Sequence, residues 1–383
     1  MQFSGYRRED GRVGARNHVV VMASVSCVNG VVEAIGRALP EAVVIANPYG
    51  CGYGPEDITT SITTLSGVLD NPNVGAGLVI GLGCEVLAPD FLIGNVMHKP
   101  LEKLVVQEAG GSAAVVEKGV KTVAKFLKDM KRQQRETVPV RDLIIGLECG
   151  GSDAFSGISA NPAVGVAADR FVHEGATVIL SETTEMIGTA HILKRRCATA
   201  DVGLQVEKLV NDHEQHVRRS LGELAGMVIS PGNIDGGLSS ITEKSLGCIM
   251  KGGTTPITQV VEYAKRPSAS GLVIMDTPGY DIDSMAGMAA GGAQIIIFTT
   301  GRGSIAGFPA VPVVKVASNS RTFTKMAGDM DVNAGGIIDG EKTIDEVGNA
   351  IFDACIQTAD GELTCAEKNR TAAFNYLKQG PTF

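Results

Sequence analysis

Short apolar runs rich in valine, isoleucine and leucine recur along this chain, and most of them stop at a turn that contains glycine. Runs of this length and composition are typical of strands that are buried on both faces of a sheet. Segments with a helical pattern, such as 55–69 and 163–174, lie between several of these runs. Strands and helices in alternation predict parallel sheets covered by helices.

We therefore predict an α/β protein made of two Rossmann-like parallel-sheet domains with helices on both faces, followed by a C-terminal helical segment over 343–377. The predicted strands are 18–26, 42–46, 77–82, 103–107, 143–147, 177–181, 226–230, 271–275, 294–299 and 313–317. The polar run KDMKRQQRETVP is the best candidate for a linker. It divides the chain into an N-terminal α/β domain, 1–136, and a C-terminal α/β domain, 137–383.

The 383-residue chain carries a formal charge of −8 at pH 7. This acidic balance gives no electrostatic support for binding nucleic acid. No apolar stretch reaches the length of a membrane span, and the first residues show no signal-peptide pattern, so we expect a cytoplasmic protein. Eight cysteines in a chain of this kind indicate thiol or metal chemistry more than a disulfide framework.

Four cysteines stand just beyond the carboxyl ends of predicted strands: Cys27, Cys51, Cys84 and Cys149. A single cysteine in this position is more often a small apolar side chain that fills space in the core. Four cysteines in the same setting favour a common function. Because the ends of parallel strands lie at one edge of a sheet, we predict that at least three of the four converge on a metal centre. Thiolate ligands indicate iron, as Fe²⁺ or an iron–sulfur cluster, with zinc or manganese as alternatives.

Two carboxylates and a histidine follow the predicted strand 177–181, namely Glu182, Glu185 and His191. Residues of these types can act as acid, base or metal ligand. The alternative is that this stretch only begins a helix, with His191 on the helix surface. We favour the functional interpretation because both carboxylates stand at a strand end.

Polar residues also follow two later strands. Asp276 comes directly after the predicted strand 271–275, where it could orient a substrate hydroxyl. Arg302 stands between two glycines, where its guanidinium could hold a carboxylate, although it could equally be a solvated loop residue. The chain has no Walker-type phosphate loop and no GxGxxG after its first strand, which argues against a nucleotide cofactor.

Several strings are similar to those of the altronate and galactarate dehydratase family, and together they span nearly the whole chain. The strings are GYRREDGRVG at 5–14, GCG at 50–52, GLGCE at 81–85, CGGSDAFSGISANP at 149–162, EKSLGC at 243–248 and TTGRG at 299–303. Members of this family dehydrate sugar acids, and iron is the metal associated with altronate dehydratase. The family also includes the large subunit of (2R)-sulfolactate sulfo-lyase, which releases sulfite.

The resemblance implies a metal-dependent lyase acting on a small hydroxy acid. Single-chain members have a small domain before the GYRR string, so we expect a small partner subunit of that kind, together with a homo-oligomer. The hexuronate enzymes tend to have histidine where this chain has Asn47. The resemblance therefore does not fix which hydroxy acid is the substrate. We also weigh a nicotinamide-dependent dehydrogenase and a non-enzymatic sugar-acid-binding subunit.

The predicted site residues fall into three groups. The catalytic residues are His191, Glu185, Glu182 and Asp153. The substrate-binding residues are Arg16, Asn17, Asn47, Ser152, Asn161, Asp276, Thr277 and Arg302. The metal ligands are Cys51, Cys84 and Cys149, with Cys27 as a fourth.

Overall fold

The structure is a computed structural model that describes residues 1–383 apart from the side chains of 225–227. The strands are β1 Gln2–Arg7, β2 Val13–Gly14, β3 His18–Ala23, β4 Val43–Ile45, β5 Val74–Gly81, β6 Leu101–Val105, β7 Glu136–Pro139, β8 Ile144–Cys149, β9 Thr177–Leu180, β10 Ile257–Val261, β11 Gly271–Met275, β12 Ile295–Thr300, β13 Val313–Ala317 and β14 Val332–Asn333. The helices are α1 Asn29–Ala38, α2 Pro55–Asp70, α3 Pro89–Ile93, α4 Val106–Ala109, α5 Ser112–Met130, α6 Ala160–His173, α7 Ala190–Arg195, α8 Ala200–Leu221, α9 Pro231–Asp235, α10 Ile241–Cys248, α11 Asp281–Ala290, α12 Ser320–Lys325, α13 Ile344–Asp360 and α14 Cys365–Asn369.

Two parallel sheets form the body of the molecule. The N-terminal sheet has four strands in the order β4-β3-β5-β6, and the C-terminal sheet has seven in the order β10-β11-β9-β8-β12-β13-β14. Every residue of β5, β8 and β12 is buried, as expected for strands covered on both faces. The predicted α/β class with helix-covered parallel sheets is confirmed.

A third, antiparallel sheet joins the two halves of the chain, because β1 pairs with both β2 and β7. β7 begins at Glu136, the predicted end of the first domain. The division at that residue stays a prediction. Both parallel sheets also contribute to one apolar core, in which Val20 and Met22 of β3 belong to the same cluster as Ile296 and Phe298 of β12.

Three details differ from the predicted elements. The predicted strand 226–230 begins among residues whose side chains lie outside the described part, and 228–230 belong to no strand. The C-terminal sheet instead contains β10 as an edge strand, which is half exposed and has no continuous apolar run. The C-terminal segment is helical only in α13 and α14, after which residues 371–383 run as an extended strap. Within the described part, no helix is both long and apolar enough to cross a membrane.

Candidate metal centre and active site

The loop after β8 sets the centre of the candidate site. Cys149 is the last residue of the strand and is buried. Its neighbour Gly150 donates its backbone N–H to the carbonyl of Thr299 on β12, which lies beside β8 in the sheet, at 3.0 Å. A Cβ at Gly150 would lie 2.0 Å from the Oδ2 of Asp281 and 2.6 Å from the ring of Phe298. Only glycine therefore lets α11 approach the strand end this closely.

β9 lies beside β8, so the carboxylates after β9 reach Cys149. Glu182 has a left-handed backbone, with φ of 67°, which costs about 1–3 kcal/mol for a residue other than glycine. Its N–H donates to the Oγ1 of Thr277 at 2.6 Å. Its carboxylate accepts the N–H of Cys149 at 2.9 Å and the ammonium of Lys251 at 2.7 Å. These contacts hold the strained residue in place.

The third part of the site comes from α10 and the 3₁₀ turn after it. Lys244, Cys248 and Lys251 follow at intervals of four and three residues, so they project from one helical face. The sulfur atoms of Cys248 and Cys149 are 3.5 Å apart. Both thiols donate to the same Oε2 of Glu185, each at 2.7 Å. Lys244 forms an ion pair with the other carboxylate oxygen of Glu185.

These residues form one cluster, made up of Cys149, Glu182, Glu185, Lys244, Cys248 and Lys251. The charges of the cluster are set by burial and by its two ammonium groups. Burial raises the pKa of the Cys149 thiol well above its ordinary range, and the neighbouring thiol and carboxylates add to the rise. Burial would also raise the pKa of Glu185, but Lys244 and then Lys251 lower it to about 2. Glu185 is therefore the fixed negative charge of the group. Burial, together with Glu182 and Glu185, raises the pKa of Asp281 to about 7.

The donor set fits a transition-metal ion. Ligand atoms of Cys149, Glu185 and Cys248 all lie within 4.8 Å of one another, and all three residues are buried. Two sulfurs and one carboxylate suit iron or zinc better than calcium or magnesium, which prefer oxygen alone. An ion there would displace the thiol protons that the buried site otherwise retains.

A cavity of about 370 Å³ opens beside the cluster. Lys244 and Cys248 form part of its wall, and Ser152, Asp153 and Asn161 form another part. The hydroxyl of Ser152 donates to the sulfur of Cys149 at 3.5 Å. A small anionic molecule in this cavity would thus meet an ammonium group and the edge of the thiol pair.

The structure divides the four predicted metal cysteines between two sheets. Cys149 is buried in the cluster at the C-terminal sheet, whereas Cys27, Cys51 and Cys84 are exposed at the N-terminal sheet. Cys149 therefore lies apart from the other three, and the expectation that at least three of the four share one centre stays a prediction. The predicted division near Glu136 already put Cys149 in the second domain, but whether the two sheets bring their edges together depends on the packing of the whole chain.

Of the predicted catalytic residues, Glu182 and Glu185 belong to the cluster. Asp153 is buried in the loop after β8, where its Oδ1 accepts the hydroxyls of Ser156 and Ser318, both at 2.8 Å. It holds that loop in shape beside the cavity. His191 lies exposed on α7 and lines no part of the cavity.

Four of the predicted substrate-binding residues lie near the cluster. Ser152 and Asn161 line the cavity, and Asn161 bridges the carbonyl of Gly247 and the hydroxyl of Thr299. Thr277 supports the backbone of Glu182, and Asp276 accepts the hydroxyl of Thr183 at 2.7 Å.

The other four predicted substrate-binding residues line no part of the cavity. Arg16 is buried and donates to Glu367 and to three backbone carbonyls. Asn17 bonds to Arg8, Met130 and Gln133. Asn47 is buried among the loops of the N-terminal sheet, where it bonds Ser24 and accepts the hydroxyl of Tyr376. Arg302 is half exposed and stands 3.9 Å from Asp235.

Sequence reasoning did not place Lys244, Cys248 or Lys251 among the site residues. A signal was present, since the three residues share a helical face in a segment that also carries one of the family strings. Their position opposite Cys149 could not be read from that spacing, because it depends on how α10 packs over the end of β8.

Fold and site together define an α/β protein with a thiol–carboxylate donor set, suited to a metal ion, at the carboxyl edge of a parallel sheet. The chain belongs to the D-galactarate/altronate dehydratase family. The family's C-terminal model, "D-galactarate/Altronate dehydratase, C-terminal", matches residues 140–382. The model "D-galactarate dehydratase/Altronate hydrolase, second domain" matches residues 5–131. The resemblance that the strings predicted is confirmed.

Three relatives illustrate the likeness. Altronate dehydratase of Bacillus subtilis is 34% identical over 99% of this chain and 78% of its own length. Galactarate dehydratase (L-threo-forming) of Escherichia coli is 36% identical over 94% of this chain and 73% of its own length. The (2R)-sulfolactate sulfo-lyase subunit beta of Chromohalobacter salexigens is 33% identical over 95% of this chain and 94% of its own length. The chain is accordingly a lyase, and the dehydrogenase and non-enzymatic alternatives are not favoured.

Proposed function

We propose that the chain is the catalytic, iron-binding subunit of a lyase that removes water from a sugar acid or sulfite from sulfolactate. The observation that carries the proposal is the buried group of Cys149, Glu185 and Cys248 beside a cavity that contains Lys244. The names of its relatives, which are dehydratases and a sulfo-lyase subunit, supply the two candidate reactions.

Within the cluster, some residues would bind the metal ion and others would bind the substrate. Cys149, Cys248 and Glu185 would hold the ion, which supplies Lewis-acid stabilisation of negative charge when bound. Lys244 would bind the substrate carboxylate at the cavity wall, because its ammonium is retained beside Glu185. Ser152 and Asn161 line the cavity where substrate hydroxyls would lie.

We assign removal of the proton next to the carboxylate to Glu182. Burial raises the pKa of this carboxyl group, and a raised pKa improves a carboxylate as a base. Its Oε2 accepts the N–H of Cys149 and an N–H of the Lys251 ammonium, which places the carboxylate against the proposed metal ligands. His191, the other candidate, is exposed on α7, whereas Glu182 contacts Cys149 and Lys251.

We also propose that the chain works with a small partner subunit. Its alignment covers 94% of the sulfo-lyase subunit beta and 73% of the galactarate dehydratase, so the longer relative contains a part outside the alignment. In the sulfo-lyase, the word subunit in the name implies that a second chain is needed.

The test is anaerobic purification with the candidate partner, metal analysis, and assay on sulfolactate and a panel of aldonates and aldarates. We expect Cys149→Ser and Cys248→Ser to lose the iron held by Cys149, Glu185 and Cys248, together with the activity. Cys365→Ser, a half-buried cysteine outside the cluster, is the matched control and should keep both. Iron retained in full by both cluster variants would refute the assigned site.

The base has its own test. Glu182→Gln should keep the iron and lower the rate by a factor of about 10²–10⁴, a typical cost of losing one general base. Exchange of solvent deuterium into the carbon next to the carboxylate should disappear with it. A normal rate in Glu182→Gln, with loss of rate and exchange in His191→Gln, would return the role to His191.

A further inference from the structure

Three exposed cysteines remain outside the proposed catalytic cluster. Cys27, Cys51 and Cys84 follow β3, β4 and β5 respectively, and these strands are neighbours in the order β4-β3-β5. The pairing is parallel throughout, so the three loops leave the sheet at the same edge. Buried filler is excluded for these residues because all three are exposed.

Hydrogen bonds tie the three cysteine loops to one another. Ser26, next to Cys27, donates its N–H to the carbonyl of Tyr49 at 2.7 Å. The carbonyl of Gly50, next to Cys51, accepts the N–H of Leu87 at 3.3 Å. The loops are therefore held side by side by their own backbones.

Side chains add further ties at the same place. Glu85, next to Cys84, accepts the hydroxyl of Ser24 at 2.7 Å and the N–H of Gly83 at 2.6 Å. Gly50 has a φ of 113°, and a Cβ there would lie 2.4 Å from the carbonyl oxygen of Ser24. The loop with Cys51 is thus packed directly against the loop that leads to Cys27, at a distance that only glycine permits.

We propose that Cys27, Cys51 and Cys84 bind an iron–sulfur cluster of the [4Fe–4S] type at this edge. Among the described residues, the only group with three ligand atoms within 4.8 Å of one another is that of Cys149, Glu185 and Cys248, so the three exposed thiols are spread too widely for one ion. A cluster is larger than a single ion and is held by thiolates. Three thiolates leave one of four irons without a protein ligand.

This edge lies on the same side of the molecule as the cavity. α2 starts at the carboxyl edge of the N-terminal sheet and α11 at that of the C-terminal sheet, and the two helices pack together. The C-terminal strap bridges the edges, since Tyr376 donates to Asn47 and Asn375 donates to Asp283 in the first turn of α11. The three cysteines and the cavity would therefore lie on the same side of the molecule.

The experiment is anaerobic reconstitution of the full chain with ferric iron, sulfide and a thiol that reduces part of the iron, followed by removal of the excess. We expect about four irons and four acid-labile sulfides per chain from the iron–sulfur cluster. Any iron held by Cys149, Glu185 and Cys248 would add to the iron content but not to the sulfide content. Sulfide content separates the two sites, so the failure of one proposal does not imply the failure of the other. Electron paramagnetic resonance after reduction gives a second readout that does not depend on activity.

The variants decide where the sulfide is bound. The triple variant Cys27→Ala, Cys51→Ala, Cys84→Ala should lose nearly all acid-labile sulfide, and because the three side chains are exposed it should fold. Cys149→Ser and Cys365→Ala should keep the sulfide content of the unmodified chain. Absence of sulfide from the unmodified chain, binding of zinc alone, or full sulfide in the triple variant would each overturn the proposal.

Discussion

A lysine and a glutamate that are almost wholly removed from water stand at the centre of the site. Lys251 and Glu182 are 1% and 0% exposed and lie 2.7 Å apart. Burial alone would lower the pKa of Lys251, but the acidic groups around it, Cys149 and Glu182 first, raise it well above its ordinary range. The ammonium group is therefore charged, and its charge is balanced only by its neighbours.

Lys251→Met would keep much of the apolar stem and remove the charge. Glu182 would then be a buried carboxylate without its cation, and breaking a buried pair on one side typically costs about 3–5 kcal/mol. We expect the free energy of unfolding, measured by urea denaturation, to fall by that amount. Lys208→Met removes an exposed pair with Asp212 and should cost less than about 1 kcal/mol. Equal losses in both variants would contradict the buried-pair argument.

Residue types were easier to predict than their partners. Glu182 and Glu185 stand out as carboxylates at a strand end, and the strand end itself is visible in the apolar run before them. Arg16 stands out equally as a charged residue in a glycine-rich segment, yet it is bound to Glu367 and to carbonyls of the C-terminal part. The sequence does not distinguish an arginine that binds a ligand from an arginine that forms hydrogen bonds within the protein.

At the scale of helices and strands, local signals predicted most of the parallel strands but not their order. The apolar runs of β8 and β12 are long and fully buried, so each is visible without knowledge of its neighbours. β10 is an edge strand with three half-exposed residues, and its sequence carries no such signal. The placement of β8 beside β9 and of α10 above them is tertiary, and it decides which cysteines meet.

The contact between α2 and α11 joins the two sheets and can be tested at one glycine. A Cβ at Gly67 would lie 2.7 Å from the carbonyl oxygen of Ala290 and 2.8 Å from its Cβ. Gly67→Val must push the helices apart, and overpacking of this kind typically costs about 1–3 kcal/mol. Chemical denaturation should show this loss of stability.

Gly30→Ala is the control for Gly67→Val. Gly30 lies in α1, and a Cβ there would meet nothing within 4 Å. Replacement by alanine should leave stability unchanged or raise it by up to about 1 kcal/mol, because alanine is the better helix former. A Gly67→Val protein as stable as this control would show that the helices do not pack as closely as the structure has them.

At the scale of the whole molecule, arginines near the N-terminus hold distant parts of the chain together. Arg8 donates to the carbonyls of Pro72 and Arg16, and Arg16 donates to the carbonyl of Thr358 and to Glu367. The first residues, the N-terminal sheet and the last helices therefore meet at one junction. His18, the first residue of β3, lies at this junction.

The junction makes stability depend on pH through His18. Burial lowers the pKa of His18 to about 4, and the positive charges of Arg16 and Arg8 contribute to the decrease. Above pH 6.5 the ring is neutral in both folded and unfolded chains, and its contribution to stability is fully present. As the pH falls from 6.5 towards 4, the unfolded chain takes up a proton that the folded chain does not, so stability is lost.

His18→Gln removes the titrating ring and isolates this effect. The difference in free energy of unfolding between the unmodified protein and the variant should be constant above pH 7. It should then shrink as the pH falls to 4, by at most about 1.4 kcal/mol per pH unit. His216→Gln, at an exposed histidine of α8, should leave the pH dependence of the unmodified protein in place. If the difference between the unmodified protein and His18→Gln stayed constant from pH 7 to pH 4, the ring would titrate alike in folded and unfolded chains, and the junction would not exclude its charge.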